Sequence, residues 1–187
     1  MEGKVLEAIL TRRSVRQYKP EVLSEQQISA IVDAALASPS ASNSQPWLLR
    51  VITRKPLIEE FDEAIFESFK DAAPEIYERS KSRGSTVLYH APLVILVLIP
   101  EASKPLMDAG ILAENIAIAA KGIGLDSVIL GLPGFLFRSA EAGAKWREKL
   151  QIPKGYELGI TVAVGYKADS AVVRDYAPDY SKVAYIR

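Results

Sequence analysis

Between Pro92 and Pro100 runs "LVILVLI", Leu93 to Ile99, and no other stretch restricts the fold so severely. Successive side chains of a β-strand point to opposite faces of the sheet. A strand that is apolar at both parities therefore needs cover on both sides. The rest of the chain has to supply that cover as well as the neighbouring strands.

Helical periodicity supplies it. Val5, Leu6, Ile9 and Leu10 predict an amphipathic helix over about residues 2–11. Ser24, with Gln27 three positions on, is a capping box that opens a second helix. Its inner stripe is Ile28, Ile31, Val32 and Ala35, and Ser38-Pro39 stops it. Pro56 suits the first turn of a third helix whose buried face is Leu57, Phe61, Ile65 and Phe69. The polar run Glu75 to Ser85 predicts a short helix and a surface loop. Lys104 to Lys121 is apolar nearly all round and predicts the central core helix. A last helix is expected over about Ser139 to Leu150. Further strands are predicted at Leu48–Thr53, Leu125–Leu130 and Leu158–Val164, with strand character again in the closing "KVAYIR". There is no internal repeat and no linker, so helices and strands alternate through a single α/β or α+β layered domain around a mixed sheet.

Composition excludes several functions. Lys plus Arg equals Asp plus Glu at 23 each. No overall field then draws the chain to nucleic acid or a membrane, and any anion site has to be local. Cysteine is absent, which removes disulfides, thiol nucleophiles, iron–sulfur clusters and cysteine-ligated zinc. His90 is the only histidine, so no metal site is expected and a Ser-His-Asp triad has little material. Beside Ala91-Pro92 at the head of a strand, His90 reads as structural. The N-terminal apolar stretch is too short for a signal peptide. Leu106 to Ile118 carries Asp108, Glu114 and Asn115, which suits a buried helix and not a membrane span. A reducing, cytoplasmic setting is the expectation.

Three stretches could carry chemistry. "TRRSVRQY", Thr11 to Tyr18, places Arg12, Arg13 and Arg16 around Ser14. Guanidinium forks match phosphate oxygens bidentately and stay charged, although a solvated basic turn would look the same. "SPSASNSQPW", Ser38 to Trp47, gathers hydroxyls and amides between two prolines. It suits a flat heteroaromatic ligand with a polar edge, or is a self-satisfied loop. "ILGLPGF", Ile129 to Phe135, ends a strand in Gly131, where backbone can approach a ligand closely. Gly122 and Gly124 do not make a dinucleotide fingerprint, because the third glycine is missing and a strand follows. The pairs Asp62/Glu63 and Asp108/Glu114 read as helix-face charges.

In their fixed order, "RRSVRQY", "SPSASNSQPW", "APLVILV", "DAGILAENIAIAAKGIGLDSVILG" and "KVAYIR" resemble the nitroreductase family of FMN-dependent oxidoreductases over nearly the whole chain. The resemblance implies an α+β fold, a three-layer α/β/α sandwich with a mixed central sheet. It implies one FMN-binding domain over residues 1–187, whose 166–187 arm reaches the partner of a homodimer and exchanges its terminal strand there. Arg12, Arg13 and Ser14 would hold the phosphate and ribityl chain, and Arg16 would lie by the flavin N1/O2 edge. Pro39, Ser40, Ala41 and Asn43 of the partner subunit would pack along the flavin, with Gln45 nearby. Leu130 and Gly131 match the segment whose backbone meets the N5 and O4 side. Arg174, and less clearly Lys167, would complete the phosphate grip, although Asp175 stands where the family often carries another positive charge.

The activity so implied takes reducing equivalents from NADH or NADPH to a small-molecule acceptor, a nitroaromatic, quinone or related electrophile, by a ping-pong mechanism. Arg16 and the Gly131 backbone are then the catalytic groups. Rival readings are a specialised flavin enzyme of the dehalogenase or flavin-destroying type, a flavin-binding module without turnover, and an anion-binding dimer without flavin.

Overall fold

The apolar run becomes β2, Leu93–Pro100, one of two inner strands of a four-stranded sheet. The computed structural model describes residues 3–82 and 84–186; Glu2 of the expected first helix and Arg187 of the tail lie outside them. Flanking β2 are β1 (Leu48–Ile52) and β4 (Tyr156–Gly165), and β3 (Asp126–Leu130) pairs with the far side of β4. Leu96 stands opposite Arg50 on one side and Thr161 on the other.

Alternation along β2 sorts its side chains into two cores. Val94, Leu96 and Leu98 join Phe61, Ile65, Phe69 and Trp146 on one face. These come from α3 (Lys55–Ala72) and α6 (Ala140–Lys149). Leu93, Ile95, Val97 and Ile99 join Ile31, Ala35, Leu112 and Ile116 on the other, from α2 (Glu25–Leu36) and α5 (Leu106–Gly122). The α+β three-layer sandwich expected from the sequence is the observed architecture. All four strands pair antiparallel, and the mixed character is confined to one isolated parallel bridge, Ser14 to Ser127.

Local signals behave as expected at α2, where the Ser24 and Gln27 capping box forms with both side chain–backbone bonds. Two helices differ from expectation. α5 is an outer-layer helix and not one enclosed all round. Ala109, Leu112, Ala113, Ile116 and Ala120 face the core, while Leu106, Met107 and Ile111 are exposed. α1 (Lys4–Thr11) buries only Ala8. Its apolar stripe of Val5, Leu6, Ile9 and Leu10 stands 68, 56, 44 and 45% exposed. Periodicity predicts that such a face exists, and here no described part of the same chain covers it.

Among the described residues after β4 there are an isolated bridge at Lys167 and a short 3₁₀ turn, Tyr180–Lys182, and 183–186 form no strand. Val172, Tyr176, Tyr180, Val183, Tyr185 and Ile186 are exposed along it. The described helices include none long and apolar enough to cross a membrane.

Candidate cofactor site

The arginine segment leaves α1 at Thr11 and runs extended against the sheet. The Val15 amide donates to the Ser127 carbonyl at 3.0 Å, and the Lys19 amide to the Tyr166 carbonyl at 2.8 Å. Tyr18 forms an antiparallel bridge with Lys167. Its buried hydroxyl lies 2.9 Å from the Val15 carbonyl and 3.2 Å from that of Ala163. Glycine is required at 165 for this: a Cβ there would stand 2.7 Å from Pro92 Cδ and 2.9 Å from Tyr18 Cδ1. Burial pushes the Tyr18 phenol well above its ordinary value, so it remains a neutral donor.

Held this way, the segment lines a cavity of about 1280 Å³ together with residues 168 and 170–177 of the chain after β4. Arg12, Arg13, Arg16 and Arg174 line it together with Ser14, and Asp175 is the one carboxylate among the lining residues. Arg12 donates from Nε to Glu114 at 3.1 Å, a bond that involves neither terminal nitrogen. Arg13 donates to the Leu10 and Arg12 carbonyls, both at 2.7 Å, and its guanidinium lies 5.3 Å from the Tyr176 ring centroid. Arg16 donates to the Ser14 carbonyl at 3.2 Å. Among the described residues, Arg13, Arg16 and Arg174 make no ion pair with a carboxylate. The cavity therefore carries surplus positive charge and can take an anion.

The Ser38–Trp47 loop is elsewhere. Pro39, Ser40, Ala41, Asn43 and Gln45 do not line the cavity, and residues 41–45 are exposed. The loop is nonetheless rigidly specified. Ser40 Oγ accepts from the Gln45 amide at 2.8 Å, and Asn43 Oδ1 accepts from Gln45 Nε2 at 3.1 Å. Buried Ser38 accepts from Asn115 of α5 at 2.9 Å. Ser42, Asn43 and Gln45 all have positive φ, at 52, 53 and 45°, a region that non-glycine residues seldom occupy and that recurs at ligand sites. Leu130 is buried at the end of β3 and Gly131 is exposed just beyond it, again outside the cavity. Gly131 has φ −89°, and a Cβ there would meet nothing within 4 Å. The fold itself does not demand a glycine at that position.

The nitroreductase family model matches residues 9–166. The chain belongs to the nitroreductase family. A crystallised nitroreductase with bound FMN from Desulfitobacterium hafniense is 30% identical and superposes with a TM-score of 0.91, each chain fully covered. One from Bacteroides fragilis, also with bound FMN, is 25% identical with a TM-score of 0.87 over 98% of both chains. An Archaeoglobus fulgidus protein provisionally named NADH dehydrogenase/NAD(P)H nitroreductase is 29% identical over 88% of this chain and 86% of its own.

Within this nitroreductase-family chain, then, Arg12, Arg13, Ser14, Arg16 and Arg174 share one cavity, while the serine-rich loop and the Leu130–Gly131 turn stand apart from it. Lys167 does not line the cavity. The sequence did not single out the wall formed by Gly84, Thr86, Tyr89 and His90. His90, read from sequence as structural, is exposed on that wall. Asp62, read as a helix-face charge, is buried. It accepts from Thr86 Oγ1 at 2.5 Å and from the Val87 and Leu88 amides at 2.7 and 2.8 Å. One signal could have found it: Asp62 lies four residues after Ile58 and three before Ile65, on the buried stripe of α3.

Proposed function

We propose that this chain is a homodimeric FMN-dependent oxidoreductase that takes reducing equivalents from NADH or NADPH to nitroaromatic, quinone or related electrophilic acceptors. The cavity carries this reading. Three arginines that make no ion pair with a carboxylate among the described residues converge on a space large enough for a mononucleotide, which fits a phosphate ester attached to a flat ring system. When bound, FMN supplies the redox chemistry, with donor and acceptor using it in turn.

The protein's part is binding, orientation and electrostatics. Arg12, Arg13, Ser14 and Arg174 hold the phosphate and ribityl end. Arg16 provides a fixed cation at the N1/O2 edge, where negative charge accumulates on reduction. A preorganised charge of this kind costs no reorganisation during the reaction. The Gly131 backbone, free of a side chain, approaches the N5 side. No thiol, imidazole or carboxylate needs to act as nucleophile or base, in keeping with a chain that has no cysteine and one histidine.

The exposed loop finds its role in a second copy. Pro39, Ser40, Ala41 and Asn43, with Gln45 beside them, pack along the flavin held mainly by the partner's arginines. The uncovered stripe of α1, exposed Leu106, Met107 and Ile111 on α5, and the apolar tail over 166–187 supply the surfaces that join the two copies. Tail strand exchange would pair 183–186 with an open sheet edge of the other subunit. The absence of cysteine suits a cytoplasmic setting.

Anaerobic titration of the FMN-loaded protein with NADH and NADPH tests the activity. Bleaching of the visible flavin bands, and their return on adding a quinone or nitroaromatic, is the expected result. Retained colour that neither nucleotide bleaches would make it a flavin-binding module. A colourless protein with no affinity for FMN would leave an anion-binding dimer.

A further inference from the structure

The part of the cavity lining that comes from residues 84–90 has an unusual construction. Between residues 84 and 90 four backbones have positive φ: Gly84 at 94° and Ser85, Tyr89 and His90 at 57° each. Two of the three non-glycine residues are aromatic and bulky, so the local chain does not choose this shape unaided. The surroundings must impose it.

Asp62 does so. Its carboxylate is buried, and it accepts three hydrogen bonds from Thr86 Oγ1, the Val87 amide and the Leu88 amide. Thr86 in turn accepts from the Tyr89 amide at 2.8 Å, so both functions of its hydroxyl are committed. The Ala91 amide closes the turn onto the Leu88 carbonyl at 3.1 Å. Val87 and Leu88 are fully buried beneath it. The turn's anchored side is thus held by internal hydrogen bonds, while the exposed His90 lines the cavity together with Arg12, Arg13 and Arg174. An imidazole offers an N–H donor to a phosphate oxygen in either neutral tautomer.

We propose that His90 contacts the phosphate of the bound flavin nucleotide, and that Asp62, through Thr86 and the strained Thr86–His90 turn, is the positioning residue that holds it there. This rests on the reading of the cavity as the FMN phosphate site. His90 is the ligand contact; Asp62 touches no ligand.

Comparing FMN with riboflavin, which lacks the phosphate, isolates this contact. In the full-length apo-protein, His90→Ala lowers the preference for FMN over riboflavin by about 3-fold to 10-fold, the effect of one hydrogen bond, and leaves riboflavin affinity unchanged. Asp62→Ala lowers the preference equally, and the double variant lowers it no further. Thr86→Val tests the same latch should Asp62→Ala fail to fold, with the same loss of preference expected. The chain's only imidazole gives one set of NMR signals, and these shift on adding FMN or inorganic phosphate but not riboflavin. Equal weakening of both flavins by His90→Ala, or an unchanged preference, overturns the His90 assignment. If Arg13→Ala abolishes a preference that His90→Ala leaves whole, only His90 is misassigned. If the wild-type protein shows no preference for FMN, the phosphate reading of the cavity falls and this proposal with it.

Discussion

The arginine segment and the Ser38–Trp47 loop are both polar, both rigid and both adjacent to α5, yet they are built for opposite surroundings. Arg12 pairs with Glu114, and Ser38 accepts from the next residue, Asn115. From there the two diverge. The arginines converge on a cavity completed by the same chain's residues 168 and 170–177. The loop turns outward, bonds to itself through Ser40, Asn43 and Gln45, and holds three non-glycine residues at positive φ outside that cavity's lining. Strain of that kind costs about 1–3 kcal/mol per residue and persists where function requires it. On the reading proposed above, the cavity is one half of a site and this exterior loop is the half offered to a second copy.

Four tests would break or sharpen that contrast. The largest effect is expected inside the cavity. Arg13→Ala with Arg174→Ala removes two charge-assisted bonds of about 1.5–3 kcal/mol each and should weaken FMN binding by about 100-fold or more, measured by quenching of flavin fluorescence. On the exterior half, Ser40→Ala with Asn43→Ala should weaken binding by about tenfold, one to two neutral bonds' worth. An effect of the same size on the dissociated monomer would place the loop in its own chain's site.

A third test separates the two ends of the cavity. Arg16→Gln keeps a donor but removes the charge, so the flavin midpoint potential should fall by about 30–65 mV. Arg12→Gln should weaken binding in both oxidation states and barely move the potential, because an interaction equal in both states cannot shift it. Potentiometry with both variants saturated in FMN decides this. The smallest effect concerns the anchor of the arginine segment. Tyr18→Phe should cost about 1 kcal/mol in chemical denaturation. Because the folded-state Tyr18 phenol is raised above its ordinary 10.0, its contribution is whole below that pH. It is lost progressively above, as only the unfolded chain ionises there. The Phe variant should lack that part of the alkaline fall.

What was legible in the sequence follows the range of the interactions. Strand β2, the capped start of α2 and the Phe61–Ile65–Phe69 face of α3 rest on neighbours within a few residues, and they stand where periodicity puts them. The apolar stripe of α1 was equally legible as a stripe, but periodicity does not say whose surface will cover it, and here the described residues leave it bare. Asp62 was misread because its three partners lie 24 to 26 residues away. His90 was read as structural, and its place on the cavity wall was not legible because it depends on that latch and on the left-handed backbone at 89 and 90. Arg12, Arg13, Ser14 and Arg16 were legible as a cluster, and their meeting with Arg174 followed only from the resemblance.

Subunit exchange tests the central claim, that one site draws on two chains. A protein carrying Arg13→Ala and Arg174→Ala is mixed with one carrying Ser40→Ala and Asn43→Ala under conditions that let subunits exchange, and FMN binding is followed over time. Mixed dimers then hold one site with both sets of defects and one with none, so tight binding should return at up to one site per mixed dimer. If the mixture never binds better than its two parents measured separately, each chain holds its flavin alone and the shared site does not exist.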